Sequence, residues 1–357
     1  MDHIKILKRA WETTWRYRAL WIFGIILALT TASGTGSGSS SGGGSGGNGG
    51  GGNGRLPQPG DFSMPEIPAQ VAGVLVAIGV ALACAIVILI IAATVARYVA
   101  ETALIRMVDD HEETGEQRSV REGFRMGWSR TAFRLFLTKL LISLPVALAF
   151  ILLLLLAFTP LLLWATKSTP AGVIGTVATI GLFFPILFLA IIVTAVLSLL
   201  MKFFWRACAL EELGVIESIR QGFDVVRRHL KDVVIMGLIM IGVQIGWIIA
   251  MIVITIALLP VIILLIVVGG VLGGLPALLL GGLASLFFDG ALPWILAGVV
   301  GLPIFILVVA TPWLFLGGLM EVFKSNVWTL TYRELRALES IKPEPDPLPE
   351  PAPSDSE

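Results

Sequence analysis

Charge is scarce in this chain. Only 14% of its residues are Asp, Glu, Lys or Arg, and 56% are hydrophobic, far from the balance of a soluble domain. Cysteine is nearly absent, with Cys84 and Cys208 alone, which leaves no disulfide framework and no cysteine metal cluster. The three histidines, His3, His111 and His229, have no second His or Cys at zinc-ligand spacing. A Walker loop is missing as well, because the one Gly-rich run lacks the GK[ST] ending. The apolar runs hold almost no ionisable group, although proton relays and carriers in membranes depend on them. These gaps point away from an enzyme, and no cofactor or metal is expected.

What is present is long and oily. Runs of 20 or more apolar residues recur, each able to cross a hydrocarbon layer of about 30 Å as a helix. The expected fold is an all-α integral membrane protein with six transmembrane helices. The spans are read at Ala19–Ala32 (a short one), Val71–Ala96, Leu140–Trp164, Ala171–Met201, Val233–Leu259 and Leu292–Leu319. Residues 260–290 are apolar and Gly-rich, and are read as a re-entrant or interfacial excursion on the outer side, with extra spans as the alternative.

Basic residues give the direction. Five precede the first span, eight lie between the second and third, six between the fourth and fifth, and four follow the last; the alternate connections hold Arg55, Lys167 and nothing. The alternation predicts that both termini are cytoplasmic. The basic, apolar start also resembles a signal peptide, but Glu12, Trp11 and Trp15 favour a retained first span.

A hexamer recurs. "SVREGF" at 119–124 returns as "SIRQGF" at 218–223. In each, Ser and the residue three later fit a capping box, so Ser119 with Glu122 and Ser218 with Gln221 are expected to open helices. The helices would be amphipathic, with Val120, Phe124 and Trp128 on one face and Arg121 and Arg125 on a flank. In the second copy Ile219 and Phe223 take the apolar stripe. The start of the chain repeats the pattern through Leu7, Trp11 and Trp15. Aromatic stripes beside Lys and Arg suit the lipid–water boundary, so anionic membrane lipids are the expected partners, with a membrane-protein partner as a further option and no nucleic acid. The implied layout is an interfacial helix plus two spans, three times over, in units of about 1–110, 111–213 and 214–337 within one membrane domain, 1–337.

Two low-complexity segments frame this domain. Residues 34–66 are read as a Gly/Ser-rich outer linker, and 338–357 as a disordered, Pro-rich acidic tail. Gln244 is the expected intramembrane polar contact, as an interhelical hydrogen bond or a substrate contact. GxxxG spacings such as Gly270–Gly274 are weak packing signals.

The stretches "ILKRAWETTWRYRALWIFGIILAL", "S-[VI]-R-[EQ]-G-F" and "SNVWTLTYREL" resemble a broad group of uncharacterised prokaryotic polytopic membrane proteins. That group is similar to the membrane domain attached to some glycerophosphodiester phosphodiesterases. The resemblance implies a multi-pass protein of the prokaryotic plasma membrane. The catalytic barrel and its metal-binding His and Glu are missing here, so hydrolysis is not implied. Two functions remain open: a non-enzymatic protein engaging lipid or a partner through its cytoplasmic helices, or a transporter of small molecules or lipids with its path between the repeats.

Overall fold

In the computed structural model, residues 1–32, 69–166, 168–286, 290 and 292–341 are described, and within them every element is helical. The linker read at 34–66 lies outside these residues. The tail read at 338–357 is corrected in part: residues 338–341 are the last turn of a helix, steadied by Arg336 and Glu339 three apart at 3.1 Å, and 342–357 lie outside the described residues.

Among the described residues, ten α-helices follow one another: α1 (His3–Arg16), α2 (Ala19–Ala32), α3 (Ala69–Thr114), α4 (Val120–Gly127), α5 (Arg130–Phe158), α6 (Thr169–Leu210), α7 (Val215–Arg228), α8 (Leu230–Ala257), α9 (Leu259–Ala284) and α10 (Leu292–Ile341). A 3-10 stretch, Thr159–Thr166, extends α5. Among the described residues, six helices are long and apolar enough to cross a membrane: α3, α5 with its extension, α6, α8, α9 and α10.

That set differs from the expected one at two places. The first span is the 14-residue α2, about 21 Å long and too short to cross alone. It lies against α3 and α10. The excursion at 260–290 is instead mostly the regular helix α9, 26 residues long. Glycine is a weak helix breaker when neighbouring helices and lipid leave the backbone no partner but itself. Pro260 sits in the first turn of α9, where a missing N–H costs nothing. Leu258 alone separates α8 from α9, and α9 packs on α10 instead of folding back on α8. Trp313 of α10 also reaches α8, donating to Thr255 Oγ1 at 3.2 Å. Here α9 continues on from α8, and the two together would measure about 80 Å if straight.

The three longest helices exceed the need of a bilayer. At 46, 42 and 50 residues, α3, α6 and α10 would measure about 69, 63 and 75 Å. Their apolar halves are exposed, while the packed core sits at their charged ends, around Ala100–Val108, Phe203–Ala209 and Met320–Leu335. In water this distribution would be inverted; around a lipid-facing bundle it is the expected one. Each short amphipathic helix rests on one of these ends: α1 on α10, α4 on α3, α7 on α6.

Candidate functional site

The charged end of the bundle is built from these three seatings. α4 opens at Ser119, whose Oγ accepts from the Glu122 N–H at 3.4 Å while Glu122 accepts from the Ser119 N–H at 2.8 Å. The Ser119 bonds hold the Glu122 carboxyl below its usual range. α7 does not open at Ser218. Its cap is Gly214, whose N–H donates to Glu217 at 3.3 Å, and the helix is already running at Val215. Ser218 is fully buried inside it and donates to the Val215 carbonyl at 2.8 Å. Gln221, with its amide turned oxygen-first, accepts from Arg336 at 2.9 Å. The expected Ser218–Gln221 box is thus displaced by an earlier Gly–Glu start, since Glu binds the cap N–H more strongly than Gln.

The seating faces consist of small residues. On α4, Gly123 abuts Met107 and Phe23, and Gly127 abuts Val99 and Ala103. On α7, Gly222 lies on Phe204, where an added Cβ would stand 2.6 Å from its ring. On α1, Ala10 and Thr14 are buried, and Thr14 Oγ1 accepts from Asn326 of α10 at 2.9 Å. Small side chains allow close helix approach, which is the gain that offsets glycine's weak helix propensity.

The large residues are thereby turned aside. Trp11, Trp15, Phe124, Trp128 and Phe223 are exposed, and Leu7, Val120 and Ile219 are half-buried at the seams. Trp128 is 73% exposed at the end of α4. Exposed aromatic rings of this kind favour a headgroup environment, with one part apolar and one part wet. Arg121, Arg125, Arg220 and Arg227 are exposed as well, with no ion pair among the described residues.

The acids are used differently. Asp109 pairs with Arg333, Asp110 with Arg118 at 2.7 Å, Glu112 with Arg9, Glu211 with Arg336 at 2.9 Å and Glu212 with Arg106 at 2.8 Å. These pairs tie α1, α3, α6 and α10 together, and Glu339 draws in Arg228 of α7 at 3.7 Å. Carboxylates are therefore drawn inward while several guanidiniums point out. Tyr17, between α1 and α2, donates to the Arg118 carbonyl at 2.9 Å, and burial pushes its hydroxyl up to about 12.

Gln244 is half-buried on α8 and has no hydrogen bond to another described residue. It is not brought to the charged end. Sequence reasoning missed Arg206, 1% exposed between α6 and α10, which donates to the carbonyls of Lys202 at 2.7 Å and Ser325 at 3.1 Å. Its position in an unbroken "FFWRACAL" run was the available signal. Among the described residues no group of three or more His, Cys, Asp or Glu is placed to hold a metal, and Cys84 and Cys208 are both free. Two grooves among the described residues are apolar. One, of about 720 Å³, lies along the glycines of α9 and α10; the other, of about 540 Å³, lies between α3 and α5.

No curated protein and no solved structure matches the chain. The profile of the Family of unknown function (DUF7544) matches residues 2–342. With nearly its whole length inside that match, this chain, an all-α protein with helices built to cross a membrane, belongs to that family.

Proposed function

We propose that this is a non-enzymatic multi-pass protein of the prokaryotic plasma membrane, with both termini in the cytoplasm. Its α1, α4 and α7 engage the anionic inner leaflet, or a partner complex lying on it. One observation carries the reading: the three short helices bury their small faces on the long ones, and present aromatic rings and unpaired arginines outward. Rings at headgroup depth and cations beside lipid phosphates act together there. The basic connections agree with this orientation if α2 counts as part of one passage and α8 with α9 as another, which makes six passages with α3, α5, α6 and α10. The repeated seating of a short helix on a long one supports three related units. The likeness to the membrane domain of glycerophosphodiester phosphodiesterases belongs to the same proposal and rests on the sequence alone.

The transport reading calls for a polar path at mid-membrane. Both grooves are lined chiefly by apolar side chains and glycine, and Gln244 borders neither. Reconstitution into liposomes of native lipid extract separates the two. Lipid retained by the purified protein, without solute flux, is the expected result; saturable flux would overturn it.

A further inference from the structure

Three cations gather where three apolar runs end, and among the described residues none has a hydrogen-bond or ion-pair partner. Arg97 on α3, Lys139 on α5 and Lys202 on α6 each stand at the charged end of a long apolar run. Packing brings their three helices together at this depth. Tyr98 meets Phe136 with ring centroids 5.5 Å apart and Trp205 at 6.3 Å, so an aromatic trio pins the three helices to one another. Arg97 is one residue before Tyr98, Lys139 three after Phe136, and Lys202 three before Trp205. Lys202 Nζ lies 5.8 Å from the Trp205 ring centroid, and Lys139 is within electrostatic reach of both Arg97 and Lys202.

All three are half-buried, with no hydrogen bond or ion pair from their side chains among the described residues. The acids within their reach are Glu101, itself buried and with no cation at ion-pair distance among the described residues, and, for Lys202, Glu321, which is paired with Lys324 at 3.1 Å. One turn beyond Lys202, the fully buried Arg206 has an Nε with no hydrogen-bond partner among the described residues. Lysines at span ends usually spread outward to separate headgroups. Here the helices hold the charges together in half-dry surroundings, where mutual repulsion is strong. An anion among them would turn that repulsion into attraction.

The neighbouring surface narrows the anion's nature. Tyr98 and Phe136 also wall the 540 Å³ groove, together with Ile91, Val95, Phe133 and Trp128. A cationic seat at the end of the spans, beside an apolar groove, matches a charged head joined to a hydrocarbon tail. We propose that Arg97, Lys139 and Lys202 seat the phosphate of one anionic phospholipid of the cytoplasmic leaflet, with an acyl chain in the groove. This rests on the proposed function in one respect, that these span ends face that leaflet.

The test is native mass spectrometry of the full chain in detergent, with phosphatidylglycerol, phosphatidylcholine or inorganic phosphate added. Wild type is expected to keep one phosphatidylglycerol, K139R/K202R to keep it too, and K139Q/K202Q to retain at least about ten-fold less, the loss of one to two charge-assisted contacts. Without lipid, K139Q/K202Q is expected to melt higher than wild type, because repulsion is relieved; a purely structural role for the lysines would lower it. Equal phosphatidylglycerol retention by K139Q/K202Q and wild type would overturn the site. So would equal retention of phosphatidylcholine, or stabilisation by inorganic phosphate with no lipid adduct. If R121Q/R125Q loses the lipid while K139Q/K202Q keeps it, the site fails and the role of the short helices survives. Loss of vesicle association by the short-helix variant with the adduct intact would be the reverse case.

Discussion

Asn326, fully buried on α10, donates its amide to Thr14 Oγ1 on α1 at 2.9 Å, joining positions 312 residues apart. The bond closes the chain on itself, since α1 has α10 as its seat. Its amide oxygen has no hydrogen-bond partner among the described residues, so the donor side carries the interaction.

Replacing Asn326 by Leu, or Thr14 by Val, is expected to cost about 1–3 kcal/mol each. The double variant should lose about 1 kcal/mol less than the sum of the two. Detergent-state thermal unfolding of the four proteins measures the cycle; strict additivity would mean that the bond contributes nothing.

Gly24 on α2 faces Gly318 on α10 so closely that a Cβ would collide with the Gly318 carbonyl, and would stand 2.5 Å from Val322 Cγ2. Gly24→Val should therefore destabilise by about 1–3 kcal/mol through forced separation of the helices. Gly246→Ala on α8, where nothing lies within 4 Å, should be neutral or stabilising by up to about 1 kcal/mol. Melting temperatures of the two variants should move apart.

The α4 cap should respond to acid. Glu122 is held below its usual range by the Ser119 N–H and hydroxyl, so its carboxylate is favoured in the folded helix. That contribution is complete above the unfolded carboxyl value and fades as pH falls through the lower folded one. Hydrogen exchange of the α4 amides should quicken between neutral pH and about pH 3 beyond the intrinsic trend, given ordinary carboxyl values near 4. In Glu122→Gln the dependence should flatten.

Trp128 is expected to report on the lipid boundary. In vesicles of lipid brominated near the headgroup, tryptophan emission should be quenched more than with bromine at the chain ends, and Trp128→Ala should reduce that difference. In detergent its stability should stay within about 0.5 kcal/mol of wild type, as for other surface changes. Equal quenching at both depths would argue against a headgroup position.

The span-forming runs and the three short helices were legible because hydrophobic length and 3.6-residue periodicity are local properties. The Ser119 box was legible for the same reason. Ser218 misled because the same S-x-x-Q spacing occurs one turn inside a helix already started by Gly214 and Glu217. The seating faces were not legible. Periodicity marks where Trp11, Phe124 and Phe223 lie, but does not tell an outward-facing ring from a packed one, and the packed face proved to be Ala10, Gly123 and Gly222. The meeting of Arg97, Lys139 and Lys202 was hidden too, since it depends on which helices pair and at what depth. Residues 260–290 misled through their glycines, whose breaking tendency in water does not carry over to a helix pressed on α10.

Those glycines have a mechanical corollary. Gly273 and Gly301 bring the backbones of α9 and α10 together, and α10 then runs without a break to Arg333 and Arg336 in the ion-pair web. Such a shaft behaves as a lever: a tilt imposed at its far end must be taken up at Pro303 and Pro312, its two interior prolines, or be delivered whole to the charged collar and everything resting on it.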